Sequence, residues 1–149
     1  MKPLRLVCLG SALALAGFAQ NAPEAQHKPP SSGYTALVKD AKSRIQEINI
    51  DQYKKLSSSG DKFLLVDVRE DSEWAEGHAA SAVHMSKGVI EREVEAKVPR
   101  KDANVVLYCG GGSRSALAAD ALQKMGYTNI FSLDGGFTAY KAAGLPTEK

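Results

Sequence analysis

A chain of 149 residues with 44% hydrophobic content has enough apolar side chains for one core and too few residues for two ordinary domains. Its formal net charge is +2, and Lys2 and Arg5 near the N-terminus account for the excess. That balance excludes recruitment to nucleic acid or to an anionic membrane by charge alone.

In chain order, the opening stretch MKPLRLVCLGSALALAGFAQNA has a basic start, an apolar run from Leu6 to Ala16, and small residues at Gly17 and Ala19. This pattern predicts a secretory signal over residues 1–19, cut after Ala19. A membrane anchor would need roughly 20 apolar residues, about twice this run. Cys8 precedes most of the apolar run and is misplaced for lipidation after cleavage. The expected product is exported, to the periplasm in the first place or to the medium. Cleavage removes Cys8 and leaves Cys109 as the sole thiol, so no internal disulfide is expected. Residues 20–35, rich in Pro, Ser and small polar residues, read as a flexible linker, with one domain over 36–149.

Within that domain, Leu37, Ala41, Ile45 and Ile48 describe one apolar stripe of a helix over Ala36–Glu47. A short strand is expected at Ile48–Ile50, then a helix capped by Asp51 and ended near Gly60. KFLLVDV, VVLY and, more weakly, NIFSL are near-continuous apolar runs of the kind buried on both faces of a parallel sheet. Helices are expected between them at Asp71–Glu76, Val89–Val98, Ser113–Met125 and Gly136–Ala143. The alternation predicts an α/β fold, an open parallel sheet of about five strands with helices on both faces. In such sheets ligands sit beyond the carboxyl ends of the strands, and Cys109 stands at one such end.

The sequence after that strand is CGGGSR, Cys109 to Arg114. A thiol attacks as thiolate, which a helix N-terminus or a cation favours. The helix opening near Ser113 offers the first and Arg114 the second. Gly110, Gly111 and Gly112 allow positive φ angles and a backbone curled with several N–H groups toward the sulfur. Other loop chemistries fit worse. A dinucleotide loop would want glycine where Ser115 stands, a Walker loop its Gly-Lys-Ser/Thr ending, and a serine elbow Gly-x-Ser-x-Gly. A metal site would need more than one cysteine and the scattered His27, His78 and His84.

Cys-x-x-Gly-x-Arg, together with LLVDVREDSEWAEGHAASAVHM and IFSLDGGFTAYKAAGLP, resembles the rhodanese family of sulfurtransferases, specifically its single-domain members. The resemblance runs from about Ile48 to Pro146. It implies a two-step transfer in which Cys109 takes the outer sulfur of a donor as a persulfide and passes it to an acceptor. Gly110, Gly111, Gly112, Ser113 and Arg114 would bind the substrate, with Arg114 holding the loop and attracting an anionic donor. The implied partners are thiosulfate or a persulfide as donor, cyanide or a thiol as acceptor, and a thioredoxin-like reductant. No cofactor, metal, nucleic acid or, after signal cleavage, membrane is implied. Two departures matter: the loop is neutral between Cys109 and Arg114, where some relatives carry basic residues that favour thiosulfate, and Tyr140 replaces a common Trp.

Asp67 and Arg69 at the second strand's end are possible supporting residues, read first as a structural ion pair joined by Glu73. His78, His84 and Trp74 read as structural, and Gly135 and Gly136 as a site of close backbone approach. Two other functions compete: a cysteine-dependent phosphatase or arsenate-reductase-like enzyme, which would carry five residues between Cys and Arg instead of four, and a noncatalytic binding module, which commonly lacks the cysteine.

Overall fold

A computed structural model describes residues 29–149. The expected signal over residues 1–19, with Cys8, and most of the linker, with His27, lie outside the described residues. Five parallel strands form the central sheet: β1 Gln46–Ile48, β2 Leu64–Asp67, β4 Val83–His84, β5 Val105–Tyr108 and β6 Ile130–Leu133, in the order β1-β6-β5-β2-β4. A separate antiparallel pair joins β3 His78–Ala79 to β7 Thr147–Glu148. The expected α/β sheet with helices on both faces is the observed one.

Strand alternation divides the core in two. Val105, Leu107 and Cys109 face one side, against Ile90 and Val94 of α4 (Ile90–Lys97) and Ala118, Ala119 and Leu122 of α5 (Ser113–Lys124). Val106 and Tyr108 face the other, against Tyr53 of α2 (Ile50–Ser58) and Phe137 and Tyr140 of α6 (Gly136–Ala142). Each fully buried valine, leucine or isoleucine among them contributes about 1.5–3 kcal/mol. Tyr140 fits this layer by stacking with Tyr108 and Phe137 while its hydroxyl donates to Pro146 O at 3.0 Å. Burial pushes the Tyr140 phenol up to about 12.

The N-terminal elements depart from the sequence expectation. The first helix, α1, spans Ser32–Lys42, four residues earlier than expected, because Ser31 caps it by accepting from Tyr34 N at 3.2 Å. Its first turn therefore lies in the stretch read as linker. Val38 and Ala41 are its buried face, whereas Leu37 is 56% exposed. The helix stops at Lys42, and β1 begins two residues before the strand expected at Ile48. The cap of α2 is Asn49, not Asp51. Asn49 accepts from Gln52 N at 2.9 Å while Gln52 Oε1 accepts from Asn49 N at 2.8 Å, so each side chain meets an otherwise orphaned donor. Asp51 lies inside the first turn, where its charge complements the helix dipole.

The chain leaves β2 through α3 (Asp71–Glu76) for β4 on one side, and leaves β5 through α5 for β6 on the other. The crevice between β2 and β5, where the direction of travel reverses, is where an open α/β sheet places its ligand. Asp67 and Cys109 end those two strands.

Candidate active site

Val105 to Tyr108 are all buried, and the chain emerges from β5 at Cys109 into three glycines before α5. Of these, only Gly112 takes a positive φ, +98°, so the permissiveness expected of all three is used at one. That turn brings Gly112 N within 3.1 Å of Cys109 Sγ. One loop N–H, not several, reaches the thiol itself. The N–H groups of Gly111, Ser113 and Arg114 make no hydrogen bond among the described residues, and they belong to the loop and the orphaned first turn of α5.

Cys109 is 2% exposed and belongs to the apolar layer under α5. Its sulfur is nonetheless not enclosed by hydrocarbon alone, because Ser115 Oγ lies 3.7 Å away beside the Gly112 amide. Its carbonyl is held from the opposite side. Phe137 N donates to Cys109 O at 2.7 Å, and Thr138 donates to Gly110 O through N at 3.1 Å and Oγ1 at 3.0 Å. Gly136, at φ +51°, permits this approach, since a Cβ there would collide with the Cys109 carbonyl.

Arg114 turns away from solvent toward α3. Its Nη1 and Nη2 donate to Glu73 Oε2 and Oε1 at 2.5 and 2.8 Å, and Nη1 lies 3.5 Å from Glu70. Arg114 holds the Glu73 carboxyl below the usual carboxylate value, and hydrogen bonding to Glu73 in turn raises the guanidinium. The arginine thus ties the loop to α3, and its charge is shared with two carboxylates. Glu73, expected in the Asp67 and Arg69 cluster, is instead the partner of Arg114.

Asp67 and Arg69 are both buried. Arg69 Nη2 donates to Asp67 Oδ2 at 2.6 Å and to Gly77 O at 2.8 Å, Nε reaches both Asp67 oxygens, and the guanidinium packs 4.2 Å over the Phe137 ring. Burial lowers the Arg69 pKa, and Asp67 more than offsets it, leaving it raised. Through Nε and Nη2 the guanidinium ties the end of β2 to the Gly77 carbonyl, an arrangement compatible with the structural role read first. Trp74 stacks between His78 and His84, and both imidazoles hydrogen-bond backbone carbonyls, of Trp74 and Arg69.

Sequence reasoning missed Ser115 and Ser132. Both are fully buried, and Ser132 Oγ donates to Ser115 Oγ at 2.9 Å. The available signal was a serine inside each of two apolar patterns, the inner face of α5 and the run NIFSL.

The sequence profile described as the rhodanese-like domain matches residues 49–143. The chain belongs to the rhodanese family. Among rhodanese relatives, a sulfurtransferase of Allochromatium vinosum is 32% identical over 102 residues, which is 68% of this chain and 94% of that protein. Longer relatives share only part of their length, the chain spanning 49% and 21% of two of them. Solved structures are similar as well, two of them as follows. A Rhodopseudomonas palustris protein described as a possible tyrosine phosphatase has a TM-score of 0.70 at 30% identity, covering 81% of this chain and 98% of that one. The polysulfide-sulfur transferase of Wolinella succinogenes has a TM-score of 0.65 at 26% identity, covering 78% and 87%. Rhodanese relatives named as sulfurtransferases thus link this chain to that class of enzyme.

Proposed function

We propose that the chain is a single-domain sulfurtransferase that carries a sulfane sulfur on Cys109 as a persulfide. The observation that carries this reading is the position of Cys109 Sγ at the end of β5, against Gly112 N–H and beside the unpaired N–H groups opening α5. A thiolate there attacks the terminal sulfur of a donor; with thiosulfate, the S–S bond breaks and its electron pair leaves with sulfite. The new outer sulfur bears the negative charge, and the amides of Gly111, Ser113 and Arg114 are the groups available to stabilise it. A thiol or cyanide then removes that sulfur and restores the thiolate.

The charge distribution favours a donor less anionic than thiosulfate. Glu73 and Glu70 share the charge of Arg114, and the loop brings no basic side chain between Cys109 and Arg114. A persulfide terminus, which carries a single charge, suits this setting better than the thiosulfate dianion; the Wolinella relative is named for polysulfide.

The likeness to the Rhodopseudomonas protein raises phosphate ester hydrolysis as the other reading. Four residues separate Cys109 from Arg114, one fewer than a phosphate cradle of this type, and Arg114 is bidentate on Glu73 instead of facing the loop's interior. With cyanide as acceptor, purified protein should form thiocyanate from polysulfide and, more slowly, from thiosulfate, in each case above the uncatalysed rate, and Cys109→Ser should show the uncatalysed rate alone. Hydrolysis of an aryl phosphate without thiocyanate formation would reverse the assignment.

Export is proposed on residues 1–19 alone. Protein recovered from a bacterial periplasm should begin at Gln20, and retention in the cytoplasm with Met1 intact would contradict it.

A further inference from the structure

We infer that Ser132 and Ser115 form a two-hydroxyl relay that hands a hydrogen bond to Cys109 Sγ as the disulfur bond of the persulfide breaks. This rests on the persulfide reading above and assigns positioning roles to two residues in the second half-reaction. Ser132 lies on β6 in register with Leu107 of β5, so its side chain shares the face that carries Cys109. Ser115 lies in the first turn of α5, above the same face. Both are fully buried, so each hydroxyl hydrogen needs an acceptor within the protein.

The direction of the bonds follows from that requirement. Among the described residues, the only hydrogen-bond partner of the Ser132 hydroxyl is Ser115 Oγ, at 2.9 Å. If Ser115 donated to Ser132, the Ser132 hydrogen would be buried without an acceptor. Ser132 therefore donates, and the Ser115 hydrogen must point elsewhere. Two acceptors lie within its reach, Gly112 O at 3.1 Å and Cys109 Sγ at 3.7 Å. Rotation about the Cβ–Oγ bond exchanges them without moving a heavy atom.

Charge on the sulfur decides between them. When Cys109 carries the outer sulfur, the negative charge resides on that outer atom, the inner Sγ is a poor acceptor, and the hydrogen rests on Gly112 O. During discharge, cyanide attacks the outer sulfur, Cys109–S–S⁻ and CN⁻ become Cys109–S⁻ and SCN⁻, and the electron pair of the broken bond arrives on Sγ. Hydrogen bonds to an ion are about twice as strong as neutral ones, so the Ser115 hydrogen turns to the sulfur as the charge arrives. A contact that strengthens along the reaction accelerates that step. During loading, the same bond already stabilises the starting thiolate and assists nothing.

The test uses the pH dependence of Cys109 alkylation by iodoacetamide and the rate of cyanide discharge from preloaded protein. The charged groups bordering the Cys109 loop are Arg114 and its partners Glu73 and Glu70, and all three stay unchanged in the variants. Ser115→Ala should raise the alkylation midpoint by about one pH unit and slow discharge about tenfold, while loading at alkaline pH stays within about twofold. Ser132→Ala should raise the midpoint by about half a pH unit and slow discharge about threefold, and Ser115→Thr should keep both near the wild-type values. If Ser115→Ala fails to fold, Ser132→Ala and Ser115→Thr decide by the same readings. A folded Ser115→Ala or Ser132→Ala variant with unchanged midpoint and discharge rate overturns the relay. Alkylation needs no sulfur donor, so wild-type protein that takes up no sulfur would overturn the persulfide reading while the midpoints still judge the hydrogen bond.

Discussion

Arg114 and Glu73 decide how much positive charge the cysteine loop offers, and they do so as a half-buried bidentate pair. Glu73→Gln should cost about 1 kcal/mol of stability near neutral pH. Because the folded Glu73 carboxyl titrates below its ordinary value of 4.5, its stabilisation is complete above that value and is lost as pH falls through the lower folded one. Urea midpoints of the two proteins should therefore differ at pH 7 and converge as the pH is taken below the ordinary carboxyl value, whereas a constant gap would assign the loss to packing. Gly111 tests the neutral loop from the other direction. It is exposed, lacks a positive φ, and a Cβ there would meet nothing within 4 Å. Gly111→Lys should fold normally and raise kcat/KM for thiosulfate by about three- to tenfold, an increase that salt suppresses. An unchanged value would show that donor charge does not govern the choice.

At the scale of elements, the loop is gripped from two sides, by α5 through Gly112 and by α6 through the carbonyls of Cys109 and Gly110. Gly136→Ala combines a left-handed φ with a collision against the Cys109 carbonyl. It should destabilise the protein by about 2 kcal/mol or more, read as a lower urea midpoint, and should reduce sulfur transfer further than Gly111→Ala does. Continuous apolar runs and the glycine punctuation made β2, β5, β6, α5 and α6 legible in the sequence to within a residue or two. The register of α1 was not, because Leu37 fits the helical spacing yet points to solvent, and only packing against α5 distinguishes it from Val38. Nor was the β3–β7 pair legible, since two-residue strands carry no periodicity. The thiol and its glycines stood out by residue type, whereas the Ser132–Ser115 contact joins two elements and exists only after folding.

For the whole molecule, the five-stranded order places the ends of β2 and β5 side by side at the reversal of the sheet, so Asp67 and Cys109 lie on neighbouring strand ends. The match to the family covers residues 49–143, yet the domain extends further: α1 packs on α5, β1 forms the edge beside β6, and β7 closes on β3. Of these additions, α1 braces the helix that opens at the cysteine loop, and Arg44 just after it pairs with Asp120 of that helix, remote from the loop's own residues 109–114. The central claim, that Cys109 bears a transferable sulfur, is tested most directly by the intact mass of the protein after brief exposure to polysulfide and removal of excess. One added sulfur atom on Cys109, discharged by cyanide with stoichiometric thiocyanate and absent from Cys109→Ser, is the predicted result. An unchanged mass in folded wild-type protein, or an added sulfur that persists in Cys109→Ser, would contradict it.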